Sequence, residues 1–97
     1  MKLFPFSRFV VSGESMLPTL KPGQSVVTFN WAHFFSKPRV GELVVLMRDK
    51  RPIVKRIKQI KADKVFVIGD NLAKSTDSRS FGEIDVSDLI GRVVIIL

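Results

Sequence analysis

The sequence predicts an all-β domain: a small antiparallel β-barrel or folded sheet carrying one or two short helical turns. Three observations lead there. Apolar residues fall in short alternating or clustered runs of strand length. Those runs are punctuated by turn residues such as K-P-G at 21–23, V-G at 40–41 and D-K-R-P at 49–52. No stretch sustains the 3.6-residue period of a long amphipathic helix.

The elements follow in order. Arg8–Ser12 carries Phe9, Val10 and Val11 as a first strand, and Ser15–Leu20 has room for a single helical turn cut short by Pro18. Ser25–Asn30 follows the K-P-G turn, and Glu42–Arg48 follows Val40-Gly41. Ile53–Ile60 follows the polar turn, with Pro52 at the strand's edge because it has no N–H for an interior ladder. Lys64–Ile68 ends at Gly69, and Gly91–Leu97 closes the sheet after a possible helical turn at Asp85–Leu89. Between them, Asp70–Ser80 is the longest polar stretch. Its Ser, Thr, Asp and Asn side chains suit a loop rich in side-chain-to-backbone bonds, the kind of segment that often carries function.

Ninety-seven residues make one domain, 1–97, because two cores would each be too small to be stable. Composition then removes whole classes of chemistry. Without cysteine there is no thiol catalysis and no disulfide, and with one histidine, His33, a zinc site is not expected; no cofactor is implied. His33 lies in the aromatic cluster W-A-H-F-F (31–35), which suits a packed or interfacial side chain. The formal net charge of +7 and pI near 10.3 suit either an anionic partner or a solvated basic face. No run approaches the ~18 apolar residues of a membrane span. The opening M-K-L-F-P-F-S-R-F-V-V is interrupted by Pro5 and Arg8 and lacks a small-residue cleavage site. The expectation is therefore a chain without membrane anchor or signal peptide, cytoplasmic or peripherally membrane-associated.

Two residues carry the candidate chemistry. Ser15 sits in S-G-E-S-M-L-P-T-L (12–20) and Lys55 in P-I-V-K-R-I (52–57). A serine hydroxyl becomes a useful nucleophile only when a neighbouring base takes its proton. Lysine is such a base only when neutral, so its pKa must fall well below the ordinary value of about 10.4, and burial is the available means. Strand alternation puts residues 53, 55 and 57 on one face, flanking Lys55 with Ile53 and Ile57, while Arg56 and Lys58 point the other way. The same pattern also suits a lysine whose stem covers apolar surface while its ammonium reaches water, and S-M-L-P-T also suits a plain turn. Two other serine-enzyme signatures fail: Leu17 stands where G-x-S-x-G needs glycine, and Pro18 where S-x-x-K needs lysine.

Taken together, these segments resemble the type I signal peptidase family of Ser-Lys endopeptidases. S-G-E-S-M-L-P-T-L resembles its nucleophile box, I-V-K-R-I the box with its general-base lysine, and G-D-N-L-A-K-S-T-D-S-R-S-F-G (69–82) its G-D-N…S-x-D-S-R…G box. V-G-E-L-V-V-L and I-G-R-V resemble flanking strands of the same core. The likeness runs almost continuously from residue 10 to 97.

The resemblance implies Ser15 as nucleophile and Lys55 as general base, with Ser75 orienting the lysine amine and Asp77 and Arg79 forming a supporting ion pair. It implies that Gly69, Asp70, Asn71 and Gly82 shape the supporting loop, and that the Ser15 backbone N–H is an oxyanion donor. It further implies a mostly antiparallel β core and an acyl-enzyme mechanism. The implied partner is a precursor protein whose extended leader peptide has small residues at the first and third positions before the cut. Some family members place a hydroxyl residue where this chain has Gly13, in the supporting position two before the nucleophile, and Ser12 is one position too early to replace it. Only Lys58–Lys64 separates the lysine box from the next strand, so the chain resembles a minimal core, similar to the proteases that trim nickel superoxide dismutase precursors. Trp31, Phe34 and Phe35 fall where the family often has a membrane-facing surface, so peripheral lipid contact there is one expectation and packing against the core the other.

Two other functions are weaker fits. A self-cleaving domain of the SOS-repressor type uses the same dyad but needs an Ala-Gly or Cys-Gly cleavage dipeptide and a DNA-binding domain, and this chain contains neither dipeptide. A non-catalytic basic β-barrel that binds nucleic acid needs aromatics interleaved with cations. Here the phenylalanines cluster at 4–9 and 29–35, outside the basic run at 48–64, so no nucleic acid is expected.

Overall fold

A computed structural model of the chain describes residues 3–97. The strands are β1 (Phe6–Val10), β2 (Ser25–Phe29), β3 (Leu43–Arg48), β4 (Arg51–Lys61), β5 (Lys64–Ile68), β6 (Ile84–Asp85) and β7 (Leu89–Ile96). They form one seven-stranded sheet in the order β1-β2-β7-β3-β4-β5-β6, with every neighbouring pair antiparallel. The all-β expectation holds. Of its two forms the folded sheet is the one observed, since β1 and β6 end the order without pairing to each other.

Strand alternation explains how so short a chain keeps two apolar clusters. On β3, Val44 and Leu46 point into a cluster with Ile57, Val65, Val67, Ile84 and Leu89. Val45, between them, points the opposite way, into a cluster with Val11, Met16, Leu20, Val26 and Val54. β3 and β4 are therefore apolar on both faces, which suits their central position. The register Leu46↔Ile53, Val44↔Lys55 and Leu43↔Arg56 puts Lys55 on the same face as Ile53. Lys55 consequently enters the protein interior beside apolar neighbours, whereas Arg56 emerges on the other face.

The β3–β4 hairpin turns through Asp49 and Lys50, both left-handed at φ 49° and 65°. Such two-residue turns match the twist of paired strands, and they favour Asn-Gly or Asp-Gly. Asp49 tolerates the conformation, but Lys50 occupies a position where glycine is preferred, at a backbone cost of about 1–2 kcal/mol.

The helical pieces are single turns. Val86–Asp88 forms the 3₁₀ turn expected within Asp85–Leu89. Ser15–Leu20 makes successive turns instead of a helix, with Leu20 N–H bonded to the Met16 carbonyl at 2.9 Å. Three further turns were not anticipated: α1 (Ala32–Phe35), a 3₁₀ turn at Leu72–Lys74, and α2 (Ser78–Phe81). α2 has local signals that its brevity hides from periodicity. The Asp77 carboxylate caps its start by accepting from the Arg79 N–H, and Gly82 ends it at φ 83°. α1 has no side-chain cap and buries only Ala32, so its packing on β7 defines it.

Candidate active site

The loop after β1 carries Ser15, and β4 carries Lys55. Gly13 turns the chain at φ 73°, and the fully buried Met16 and Leu20 pin the loop to the second apolar cluster. Lys55 Nζ lies 2.8 Å from Ser15 Oγ in a hydrogen bond, across a sequence separation of 40 residues. Lys55 is only 3% exposed. Burial pushes its pKa below the ordinary lysine value; the nearby Asp77 carboxylate opposes that shift, and the Arg79 charge adds to it.

The polar loop from Gly69 to Gly82 forms the floor. Asp77 is wholly buried, and its carboxylate accepts from the Gly69 N–H at 2.9 Å, Ser75 Oγ at 2.7 Å, the Arg79 N–H at 3.1 Å and Arg79 Nε at 2.9 Å. Burial alone would raise its pKa, but the bonds from Arg79, Gly69 and Ser75 outweigh that and hold it well below the usual carboxylate range. Asp77 and Arg79 thus form an ion pair, Arg79 Nε lying 2.9 Å from the Asp77 carboxylate. Arg79 Nη2 also donates to the Leu72 carbonyl at 2.7 Å, lacing the loop together. Ser75, expected to orient the lysine amine, donates its hydroxyl to Asp77.

Gly69 is the close-approach point. A Cβ there would lie 2.2 Å from Ser75 Oγ and 2.5 Å from the Ser15 carbonyl oxygen, so the Ser15 loop and the floor meet across a residue with no side chain. Next to it, the Asn71 N–H donates to the Ser15 carbonyl at 2.8 Å, and Asn71 Nδ2 donates to the Glu14 carbonyl at 3.0 Å.

Arg56 and Thr19 belong to this assembly although neither was singled out from the sequence. Arg56 grips Asp70 with Nε and Nη2, each at 2.8 Å, and its Nη1 donates to the Gly41 carbonyl at 2.8 Å. Thr19 Oγ1 donates to the same carboxylate, and the Asp70 N–H reaches Met16 Sδ at 3.4 Å. The Arg56 bonds hold Asp70 below its ordinary pKa despite partial burial, and Thr19 adds to the effect. The available signal was Arg56 itself, adjacent to Lys55 in I-V-K-R-I.

His33 is packed, not catalytic in position. Its side chain is 6% exposed, and its Nε2 lies 3.2 Å from Glu42 Oε1. Arg92 Nη1 donates to the other Glu42 oxygen at 3.1 Å. Phe34 and Phe35 stand 71% and 77% exposed, and Phe35 stacks on Phe29, which stacks on Phe6. No helix among the described residues is long and apolar enough to cross a membrane.

A small cleft opens beside Ser15 and Lys55. Its free volume is about 40 Å³, between Phe9–Ser12 on one side and Pro52–Val54 on the other. Both walls are strand edges. The Ile57 N–H and carbonyl bond to Glu42 and Gly41, so odd-numbered residues of β4 face β3. Pro52 and Val54 therefore turn their backbone groups the other way, and β5 begins pairing only at Arg56. Likewise Val11 bonds to Gln24 and Gly23, so Val10 and Ser12 present their backbone groups away from β2, on the side where β1 has no ladder partner.

The chain is 32% identical over 111 residues to the mitochondrial ATP-independent inner membrane protease subunit 1a of Arabidopsis thaliana, covering 88% of this chain and 66% of that protein. It is 23% identical to signal peptidase I of Bacillus caldolyticus, covering 96% and 80%, and 28% identical to mitochondrial inner membrane protease subunit 1 of Xenopus tropicalis, covering 87% and 64%. The chain thus spans just under two thirds of the length of these two mitochondrial relatives. The sequence profile described as signal peptidase, peptidase S26, matches residues 1–58 and 56–97. With that match extending over the whole chain, this protein belongs to the signal peptidase family, peptidase S26.

Proposed function

We propose that the domain is a serine endopeptidase in which Ser15 attacks and Lys55 is the general base, removing leader peptides from precursor proteins. The observation that carries this reading is the 2.8 Å contact between Lys55 Nζ and Ser15 Oγ, made by a lysine that is 3% exposed. Burial lowers the Lys55 pKa and so raises the neutral fraction that can accept a proton.

The steps follow from that contact. Neutral Lys55 takes the Ser15 proton as Oγ bonds to the scissile carbonyl carbon, and the Ser15 N–H supports the oxyanion. Collapse breaks the C–N bond, and the Lys55 ammonium returns its proton to the leaving amine. Water then attacks the acyl-enzyme ester and gives a proton to Lys55, which passes it to Ser15 as the product acid departs. Ser75, Asp77 and Arg79 are positioning residues in this scheme. They hold the floor against Gly69, while Asp70 and Asn71 hold the nucleophile loop and Gly82 closes α2.

The substrate enters as a strand. Backbone groups of Val10 and Ser12 face those of Pro52 and Val54 across the cleft, so an extended peptide can pair along both walls. The cleft's small volume favours small side chains next to the scissile bond, in accord with leader peptides that carry them. The exposed Phe34 and Phe35, with Trp31 beside them and a net charge of +7, support peripheral contact with an anionic lipid surface.

A panel of leader peptides digested by the wild type, Ser15→Ala and Lys55→Ala tests the assignment. Both variants are expected to stay folded and to lose cleavage; cleavage retained by Lys55→Ala would remove the proposed base.

A further inference from the structure

We infer that Lys50 and Arg51, at the tip of the β3–β4 hairpin, form a subsite for an acidic side chain at the fifth or sixth substrate residue before the scissile bond. This inference rests on the protease reading of the Ser15 and Lys55 site and deepens it.

The argument begins with the open edge of β4. A peptide paired along that edge with its reacting carbonyl at Ser15 starts beside Lys55 and runs past Val54 and Pro52. Strands advance about 3.3 Å per residue on either side, so with the first residue before the cut beside Lys55 the fifth and sixth lie level with Arg51 and Lys50. The small cleft constrains the nearest residues, but it ends at Pro52. Beyond that point the walls are exposed side chains of the hairpin tip.

The charge there is unbalanced. Elsewhere cations near the site are paired: Arg56 with Asp70, Arg79 with Asp77, Lys74 with Glu14. Among the described residues, neither Lys50 nor Arg51 has a carboxylate within ion-pair distance. Arg48, the register partner of Arg51, is turned onto the Phe81 ring, its guanidinium carbon 4.2 Å from the ring centroid. Asp49, immediately before Lys50, offsets one charge and leaves the tip net positive.

The backbone supplies a second, independent observation. Lys50 sits at φ 65°, where glycine is the favoured residue of a two-residue hairpin. A lysine held there, exposed and without an ion-pair partner, does nothing for the turn that glycine would not do better. A carboxylate brought alongside by the bound strand gives it a partner.

The test uses one extended peptide with alanine at the first and third positions before the cut. A single Glu, Gln or Lys is walked from the fourth to the seventh position. Binding is read by fluorescence anisotropy on Ser15→Ala protein, and turnover on the wild type. At low salt the Glu peptide is expected to bind and turn over about fivefold better than the Lys peptide at the fifth or sixth position only. That preference should shrink towards unity in roughly 0.5 M salt. In Lys50→Glu/Arg51→Glu the preference should invert, and in Lys50→Gly, which suits the turn's backbone, it should weaken without loss of fold. A Glu-to-Lys ratio that ignores these substitutions, or that is the same at every position, overturns the subsite. Absence of turnover with charge-selective binding intact would instead sink the protease reading and leave the subsite standing.

Discussion

Arg56 holds the Asp70 carboxylate through two hydrogen bonds of 2.8 Å, and by that contact the strand bearing Lys55 is tied to the loop after β5. Thr19 and Met16, on the loop bearing Ser15, meet the other sides of Asp70. The distance between the Ser15 hydroxyl and the Lys55 amine is therefore set from outside that pair, by a planar fork that a lysine ammonium does not reproduce.

Replacing that fork should separate activity from stability. Arg56→Lys keeps the charge but loses the paired bonds, and is expected to lower kcat by about tenfold to a hundredfold with KM less affected, because small misplacements of reacting groups are costly. Single-turnover cleavage beside a thermal melt checks it. A variant that loses stability but keeps the wild-type kcat would reduce Arg56 to a structural role.

The buried lysine gives a pH signature with a defined sign. Its folded pKa lies below the ordinary lysine value of 10.5, so between those two values the unfolded chain binds more protons and stability rises with pH. Below the folded pKa the burial penalty is fully present. Lys55→Met should therefore be more stable than wild type at neutral pH, with an advantage that shrinks as pH climbs towards 10.5. Denaturant melts across that range measure it, and an advantage independent of pH would contradict a neutral-leaning Lys55.

Cleavage should carry the matching limb. kcat/KM is expected to rise as Lys55 loses its proton, with a midpoint below the ordinary lysine value. Initial-rate measurements from pH 6 to 10 test this. A limb that persists when Lys55 is replaced would assign the titration to another group.

At Gly69, alanine must push against Ser75 Oγ at 2.2 Å and the Ser15 carbonyl oxygen at 2.5 Å. The carbonyl belongs to backbone and cannot rotate away, so Gly69→Ala is expected to destabilise by about 1–3 kcal/mol and to displace Ser15. Its loss of activity should exceed what its melt accounts for at the assay temperature.

Asp77→Ala should be more damaging to the fold. It removes the acceptor shared by Gly69, Ser75 and Arg79, leaving buried donors without partners at a cost of about 2–3 kcal/mol. Asp77→Asn retains some acceptor capacity and should lose less, a ranking that urea titration reads directly.

The strands and the two candidate residues, Ser15 and Lys55, left periodic or spaced traces in the sequence. Lys55 between Ile53 and Ile57 marks itself as inward-facing by strand alternation alone, and the register agrees. Lys64–Ile68 kept its expected boundaries, while β4 extended to Arg51 and Lys61 at either end because cross-strand pairing continues past the apolar run. The short turns at Ala32–Phe35 and Ser78–Phe81 escaped notice because one turn is too brief to show a helical period. Arg56 escaped for another reason: alternation assigned it to the outer face, and nothing local shows that Asp70 waits there.

Local chemistry thus dictates which segments extend, where they turn and which lysine is driven inward, since period, proline and glycine act within a few residues. Which groups meet is a different matter. Ser15 reaches Lys55 across 40 residues, and Arg56 reaches Asp70 across 14, only because β4, β5 and the loop after β1 converge at one edge of a folded sheet. That convergence is fixed by burying two apolar clusters on opposite faces of β3 and β4, a condition imposed by the whole chain at once.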